Sequence, residues 1–162
     1  MKKYKWYLLV FNLLLLLIYF NNSIFNKERI LKKGKFVLLE LAPVDPRSLM
    51  QGDYMSLRYK LSEEITFEKI PRRGYCVVTL DKNKIAKRVR FQSKKVPLSK
   101  GELLIEYSSP NSWEVNIGAE SYFFEEGKAK KFEKAKYGGL KIDNEGNSLL
   151  IGLYDKNRIK IK

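Results

Sequence analysis

Arg47, Asp53, Tyr54 and Arg58 are the residues of this 162-residue chain that come closest to forming a polar site. Two guanidinium groups, a carboxylate and a phenol on a loop held by a rigid scaffold can bind a ligand or a protein partner. The same stretch also has a structural explanation. Asp45 suits a helix N-cap, Pro46 the first helical position, and Gly52 the left-handed residue that closes a single turn. Asp53 can bond nearby backbone N–H groups, and Arg47 can pair with Asp45 or Asp53. Elsewhere the inventory is restrictive. There is no histidine, which excludes His-dependent triads, Cys–His nucleophiles and ordinary zinc sites. No metal-ligand set and no cofactor motif is seen. Cys76 is the single cysteine, so no intramolecular disulfide can form. Its setting, Tyr75-Cys76-Val77-Val78-Thr79-Leu80, reads as a buried strand in which it acts as a small apolar side chain.

The elements that must position the polar stretch are mostly extended. Residues 36–41 read as a first strand. Residues 53–61 alternate strictly: Met55, Leu57, Tyr59 and Leu61 point one way, Tyr54, Ser56, Arg58 and Lys60 the other, as in a half-buried strand. Tyr59 is therefore expected to be buried, and Tyr54 to be the more exposed or to contact the loop before it. Residues 75–80 and 85–91 flank Asp81-Lys82-Asn83-Lys84, a hairpin signal, and residues 139–142 and 148–154 flank Asp143-Asn144-Glu145-Gly146-Asn147, a second one. Residues 103–107, 113–118 and 121–124 are further extended stretches, and 158–161 an edge strand. Residues 126–136, with Phe132 as the main apolar anchor, are the best helix candidate of this part. Short strands separated by turn signals define an α+β class that is mainly β. The reading is an N-terminal transmembrane helix followed by a small antiparallel β-barrel or sandwich-like domain with one short helix.

The N-terminus supplies that helix. Residues 6–25 carry no charge and hold a run of five leucines; a bilayer core needs roughly 20 residues of helix. Trp6, Tyr7 and Tyr19 stand where amphipathic rings prefer the headgroup layer. A cleaved signal peptide fits less well, because Tyr19, Phe20, Asn21, Asn22 and Ile24 occupy the place where small residues would be expected. A buried core helix fits less well still, since the segment is apolar on every face. The organisation is then an anchor at 1–25, a juxtamembrane linker at 26–35 and the β-rich domain at 36–162. Lys2, Lys3 and Lys5 before a leucine core form a signal-anchor pattern, with the N-terminus cytoplasmic and the domain extracytoplasmic, although the far side of the span is also basic. Of the 32 Lys and Arg, 29 lie in residues 26–162 together with all 18 Asp and Glu. These charges are interspersed and no nucleic-acid motif accompanies them, so the expected partner of the basic surface is membrane lipid, with no nucleic acid.

The segment PVDPRSLMQGDYMSLRY, residues 43–59, resembles the signature of the GDYXXLXY family of bacterial membrane-anchored proteins; Gly52, Asp53, Tyr54, Leu57 and Tyr59 match it position by position. Tyr122-Phe123-Phe124-Glu125-Glu126-Gly127 is similar to the family's second motif, with Glu125 where the family usually has proline. The resemblance implies a membrane-anchored extracytoplasmic domain of uncharacterised role, often encoded beside multi-spanning membrane proteins, one of which is the expected protein partner.

A second resemblance points to an enzyme. Ser48-Leu49-Met50-Gln51-Gly52-Asp53 resembles the nucleophile segment of signal-peptidase-like serine proteases, and Ile85-Ala86-Lys87-Arg88-Val89 their lysine segment. The implied chemistry is a Ser48/Lys87 dyad, which requires a lysine desolvated until it can serve as base. The residue order around Ser48 differs from that pattern, and the Gly-Pro-Gly-Asp stretch after the lysine segment is missing. The preferred reading is a non-catalytic accessory or interaction module of a cell envelope. Its turn reading is testable: Gly52→Val should lower the melting temperature of residues 26–162, a left-handed angle costing a Cβ about 1–2 kcal/mol. Tyr54→Ala should impair function more than stability. A Gly52→Val protein that melts like its parent would overturn the turn assignment.

Overall fold

The computed structural model describes residues 2–42, 54–62, 70–111 and 115–162. Helix α1, Lys2–Lys33, is unbroken. It is long and apolar enough to cross a membrane, with a mean hydropathy of 2.0 over its most apolar stretch and none of that stretch buried in the protein. At 1.5 Å per residue it measures about 48 Å, longer than a bilayer core of about 30 Å. Residues 26–33, expected to be a linker, are therefore two more turns of the same helix. Their last turns pack on the domain: Ile30 is buried, its carbonyl accepts the Gly34 N–H at 2.7 Å, and Lys141 Nζ donates to the Gly34 carbonyl at 3.0 Å.

The domain is built from β1 (Lys35–Glu40), β2 (Tyr54–Ser56), β3 (Arg73–Leu80), β4 (Ala86–Gln92), β5 (Glu102–Ser108), β6 (Ser121–Phe123), β7 (Tyr137–Ile142) and β8 (Ser148–Tyr154), with a short helix α2, Ala129–Phe132. Among the described residues all strand pairs are antiparallel and fall into three sheets, β1-β7-β8, β4-β3-β5 and β2-β6. There is no closed barrel among the described residues. The sheets are joined by isolated bridges: Leu38 to Ile85, Leu41 to Tyr59 and Ser108 to Asn116. Apolar residues from all of them meet in one core around Val37, Leu39, Tyr59, Val78, Ile105 and Leu140. Cys76 lies in that core, fully buried, and burial pushes its thiol up to about 12, against a smaller opposing effect of Arg88.

Three tight connections share one construction. Asp81 Oδ1 accepts the N–H groups of Asn83 and Ile85, Asp143 Oδ1 those of Glu145 and Asn147, and Asp155 Oδ1 those of Asn157 and Ile159. Each then places its fourth residue at positive φ: Lys84, Gly146 and Arg158. An aspartate that satisfies two backbone donors fixes such a turn even where glycine is absent.

Several expected elements are shorter than the sequence suggested. The 53–61 alternation is kept in burial, with Met55, Leu57, Tyr59 and Leu61 inside, yet only Tyr54–Ser56 is strand. The chain changes partner after Ser56: Leu57 N–H turns to the Glu120 carbonyl at 2.6 Å, Tyr59 bridges to Leu41, and Lys60–Ser62 forms a 3-10 turn. The 126–136 helix contracts to Ala129–Phe132. Lys128 at its N-cap makes no side-chain cap bond, and Phe132 is the only buried residue it contributes. The 158–161 strand is reduced to one bridge, Tyr154 to Lys160; of the 113–118 stretch residues 115–118 are described, and among them only Asn116 bridges.

The junction of helix and domain depends on Gly34. A Cβ there would collide with the Ile30 carbonyl and lie 3.2 Å from the Ile142 backbone nitrogen. Gly34→Ala is expected to destabilise the full chain by about 1–3 kcal/mol, the usual cost of overpacking. A lowered melting temperature in detergent would register it, and a melt like that of the parent would show the junction to be loose.

Candidate functional site

The two motifs singled out in the sequence, residues 43–59 and 122–127, meet in the fold where they are described: residues 54–59 of the first lie beside residues 119–123. β2 and β6 pair with Tyr54 opposite Phe123, Met55 opposite Tyr122 and Ser56 opposite Ser121. Leu57 continues the contact through the Glu120 carbonyl, and the Tyr59 hydroxyl donates to the Ala119 carbonyl at 2.6 Å in the core. Tyr59 is 1 % exposed. Burial drives its hydroxyl far above the ordinary phenol range, and the charge of Glu120 adds to the effect. Tyr59 thus keeps its proton and remains a donor. Tyr54 is half-buried, its ring tilted against Phe123 with centroids 5.8 Å apart, while Phe123 is 75 % exposed. Tyr122 and Phe124 both pack on Phe132, which explains why α2 follows the second stretch.

Beside this pairing opens a cleft of about 430 Å³ lined by Ser56, Arg58, Tyr59, Ser62, Asn116 and Glu120, among others. One wall is the first motif and the other is the segment from Val115 to Glu120. That wall is fixed by Ser62 Oγ donating to the Val115 carbonyl at 3.1 Å, and by Ile117 N–H donating to Glu120 Oε1 at 2.5 Å. Arg58 stands exposed at the rim, its carbonyl holding the Ala42 N–H at 2.9 Å. The cleft therefore offers a cation, a carboxylate, a hydroxyl and an amide on a rigid frame, a set that recognises by hydrogen bonds and charge.

Of the residues expected to form a site, Tyr54 and Arg58 lie on the first motif, Tyr54 against β6 and Arg58 at the cleft. Arg47 and Asp53 lie outside the described residues, as do Asp45, Ser48 and Gly52. Lys87 sits on β4 opposite Thr79 and is exposed; this solvated position does not supply the desolvation that a base lysine needs. Ser62, Asn116 and Glu120 were not singled out by the sequence. The signal for Glu120 was its place just before the second motif; Asn116 and Ser62 gave none.

A long N-terminal helix, apolar enough to cross a membrane, followed by a β-rich domain whose two motifs pair through β2 and β6, defines the class. The model of the GDYXXLXY protein family matches residues 16–153, and the chain belongs to that family. No curated protein and no solved structure matches it.

The Tyr59 hydroxyl gives a direct test of how the motifs are joined. Tyr59→Phe leaves the buried Ala119 carbonyl without its donor and should cost about 1–3 kcal/mol. A urea melt should show a lower midpoint with an unchanged slope. An unchanged midpoint would show that the bond contributes nothing to the pairing.

Proposed function

We propose that the chain is an accessory module of the bacterial cell envelope, anchored by α1 with the N-terminus cytoplasmic, that presents its motif cleft to a multi-spanning membrane protein. The observation that carries the reading is the cleft itself. It is walled by the first family motif and by the segment of residues 115–120 that leads into the second, joined by the Leu57 N–H to the Glu120 carbonyl and by Ser62 to the Val115 carbonyl, and it is polar rather than apolar. A rigid polar cleft of this kind favours recognition of another chain's polar groups over storage of an apolar ligand.

The anchor supports a partner in the same membrane. β1 leads from Lys35, just after Gly34 at the helix end, to Glu40, and the next residue, Leu41, bridges to Tyr59. Six strand residues span about 20 Å, so the cleft stands about that far along β1 from the helix end. The partner's loops must reach it there. Lys2, Lys3 and Lys5 before the apolar run support the N-in orientation.

The test is site-specific photocrosslinking in native membranes. A photoreactive residue at Arg58 should capture a multi-spanning membrane protein, and the same residue at exposed Lys156, in the turn after β8, should not. Arg58→Glu should reduce co-purification from detergent at least several-fold with the melting temperature unchanged. Equal capture from both positions, or capture of lipid alone, would overturn the proposal.

A further inference from the structure

We infer that the loop of residues 93–100 is a membrane-contact element that seats the domain on the anionic surface of the bilayer entered by α1. The inference rests on the reading of α1 as a membrane anchor. Its sequence is Ser93-Lys94-Lys95-Val96-Pro97-Leu98-Ser99-Lys100. Val96 is 70 % and Leu98 43 % exposed, an unusual expenditure of apolar surface between lysines. Apolar tips flanked by cations suit the headgroup layer, where the side chains meet the acyl boundary and the lysines meet phosphates.

The fold places this loop at the helix end. Lys95 pairs with Glu145 of the β7–β8 turn and lies 5.9 Å over the Tyr75 ring. That turn lies directly against α1: Asp143, Asn144 and Glu145 line a shared recess with Arg29, Lys33 and Gly34. Val96 follows Lys95 immediately, so it stands at the base of the domain. Beyond the uncharged run ending at Phe25, the eight residues to Lys33 rise about 12 Å. Headgroup regions add roughly 5–8 Å per side to the core. The base of the domain thus hovers just above the headgroups, within reach of a projecting loop.

The loop is also held in shape. Arg90 forms a two-pronged pair with Glu102 at 2.6 and 2.9 Å and donates to the Pro97 carbonyl at 3.0 Å. Gln92 Nε2 donates to the Lys94 carbonyl at 2.7 Å, and Ser99 N–H to Glu102 Oε2 at 2.8 Å. A preformed loop loses little freedom on docking. The local charge balance favours an anionic surface. Lys27, Arg29, Lys32, Lys33 and Lys35 from the helix and its exit join Lys94, Lys95 and Lys100. Of the acids there, Glu28 pairs with Lys32, Glu145 with Lys95 and Glu102 with Arg90, Asp143 is held in its own turn and Glu106 lies near Lys95, so the lysines and arginines outnumber the carboxylates.

The experiment uses the full chain in vesicles of phosphatidylcholine, alone or mixed with phosphatidylglycerol. Val96→Cys is labelled with an environment-sensitive fluorophore, the buried Cys76 remaining out of reach of the reagent. Its emission should shift to the blue, and be quenched by doxyl lipid, in the anionic vesicles more than in the neutral ones. A label at Lys156→Cys, beyond the far end of β8, should stay in water in both. Adding Lys94→Glu and Lys100→Glu should remove the shift at Val96 while the melting temperature holds. A Val96 label that matches the Lys156 label in both vesicles, on a chain that resists carbonate extraction, would overturn the inference and leave the anchor standing. Release by carbonate would overturn both. Shielding that occurs in native membranes but not in pure lipid would also overturn it, in favour of a protein contact.

Discussion

The hydroxyl of Tyr59, donating to the Ala119 carbonyl, is the point on which the domain's organisation turns. Tyr59 bridges Leu41 at the end of β1, its ring packs against Gly138 of β7, and its oxygen reaches the segment that leads into β6. One side chain, following β2, therefore meets the β1-β7-β8 sheet and the approach to β6, the partner of β2. A hydrogen bond in a dry core binds more strongly, and is more costly to leave unmade, than one in water. Gly138 completes the arrangement by giving the ring its space, since a Cβ there would lie 2.9 Å from Cε1. The family signature thus reads as a set of coupled structural demands, with Arg58 carried on the same backbone and left facing outward.

Much of this was legible in the chain. The period-two alternation from Met55 to Leu61 foretold which side chains go inside, because burial follows the side on which a residue points even when the strand's partner changes. What it did not foretell was the change of partner at Leu57, which depends on where Glu120 arrives from more than sixty positions away. The turns at Asp81 and Asp143 could be read because aspartate announces a local bond to backbone N–H groups. The extent of α1 was underestimated for the opposite reason. Lys27, Glu28, Arg29 and Lys32 look like a polar linker, yet straight-chain residues are good helix formers, and burial of Ile30 on the domain gives those turns a tertiary reason to persist. The cleft was half legible: Arg58 lies in the motif, whereas Asn116 and Ser62 come from segments with no distinguishing pattern.

Cys76 is held as a thiol in the core, Tyr59 as a phenol, and Lys87 lies in solvent. Two exposed regions stand out among the described residues, the cleft with Arg58 and Glu120 and the lysine-rich loop that bears Val96 and Leu98. These two regions differ in character. The cleft mixes Arg58 with Glu120 and is walled by fixed backbone, as suits selection of one partner. The base is cationic with exposed Val96 and Leu98, as suits a broad and chemically simple surface.

The unbroken passage from α1 into the domain has a mechanical consequence. Ile30 is buried, Gly34 is closed against Ile142 and Lys141 is fastened to the Gly34 carbonyl, so α1 enters the domain through fixed contacts. Transmembrane helices tilt to match their apolar length to the thickness of the bilayer. Under the proposed membrane reading of α1, such a tilt would pass to the domain through these contacts. A few degrees at the helix would become a lateral displacement of ångströms at the far end of β1, so bilayer thickness would bear on where Arg58 stands.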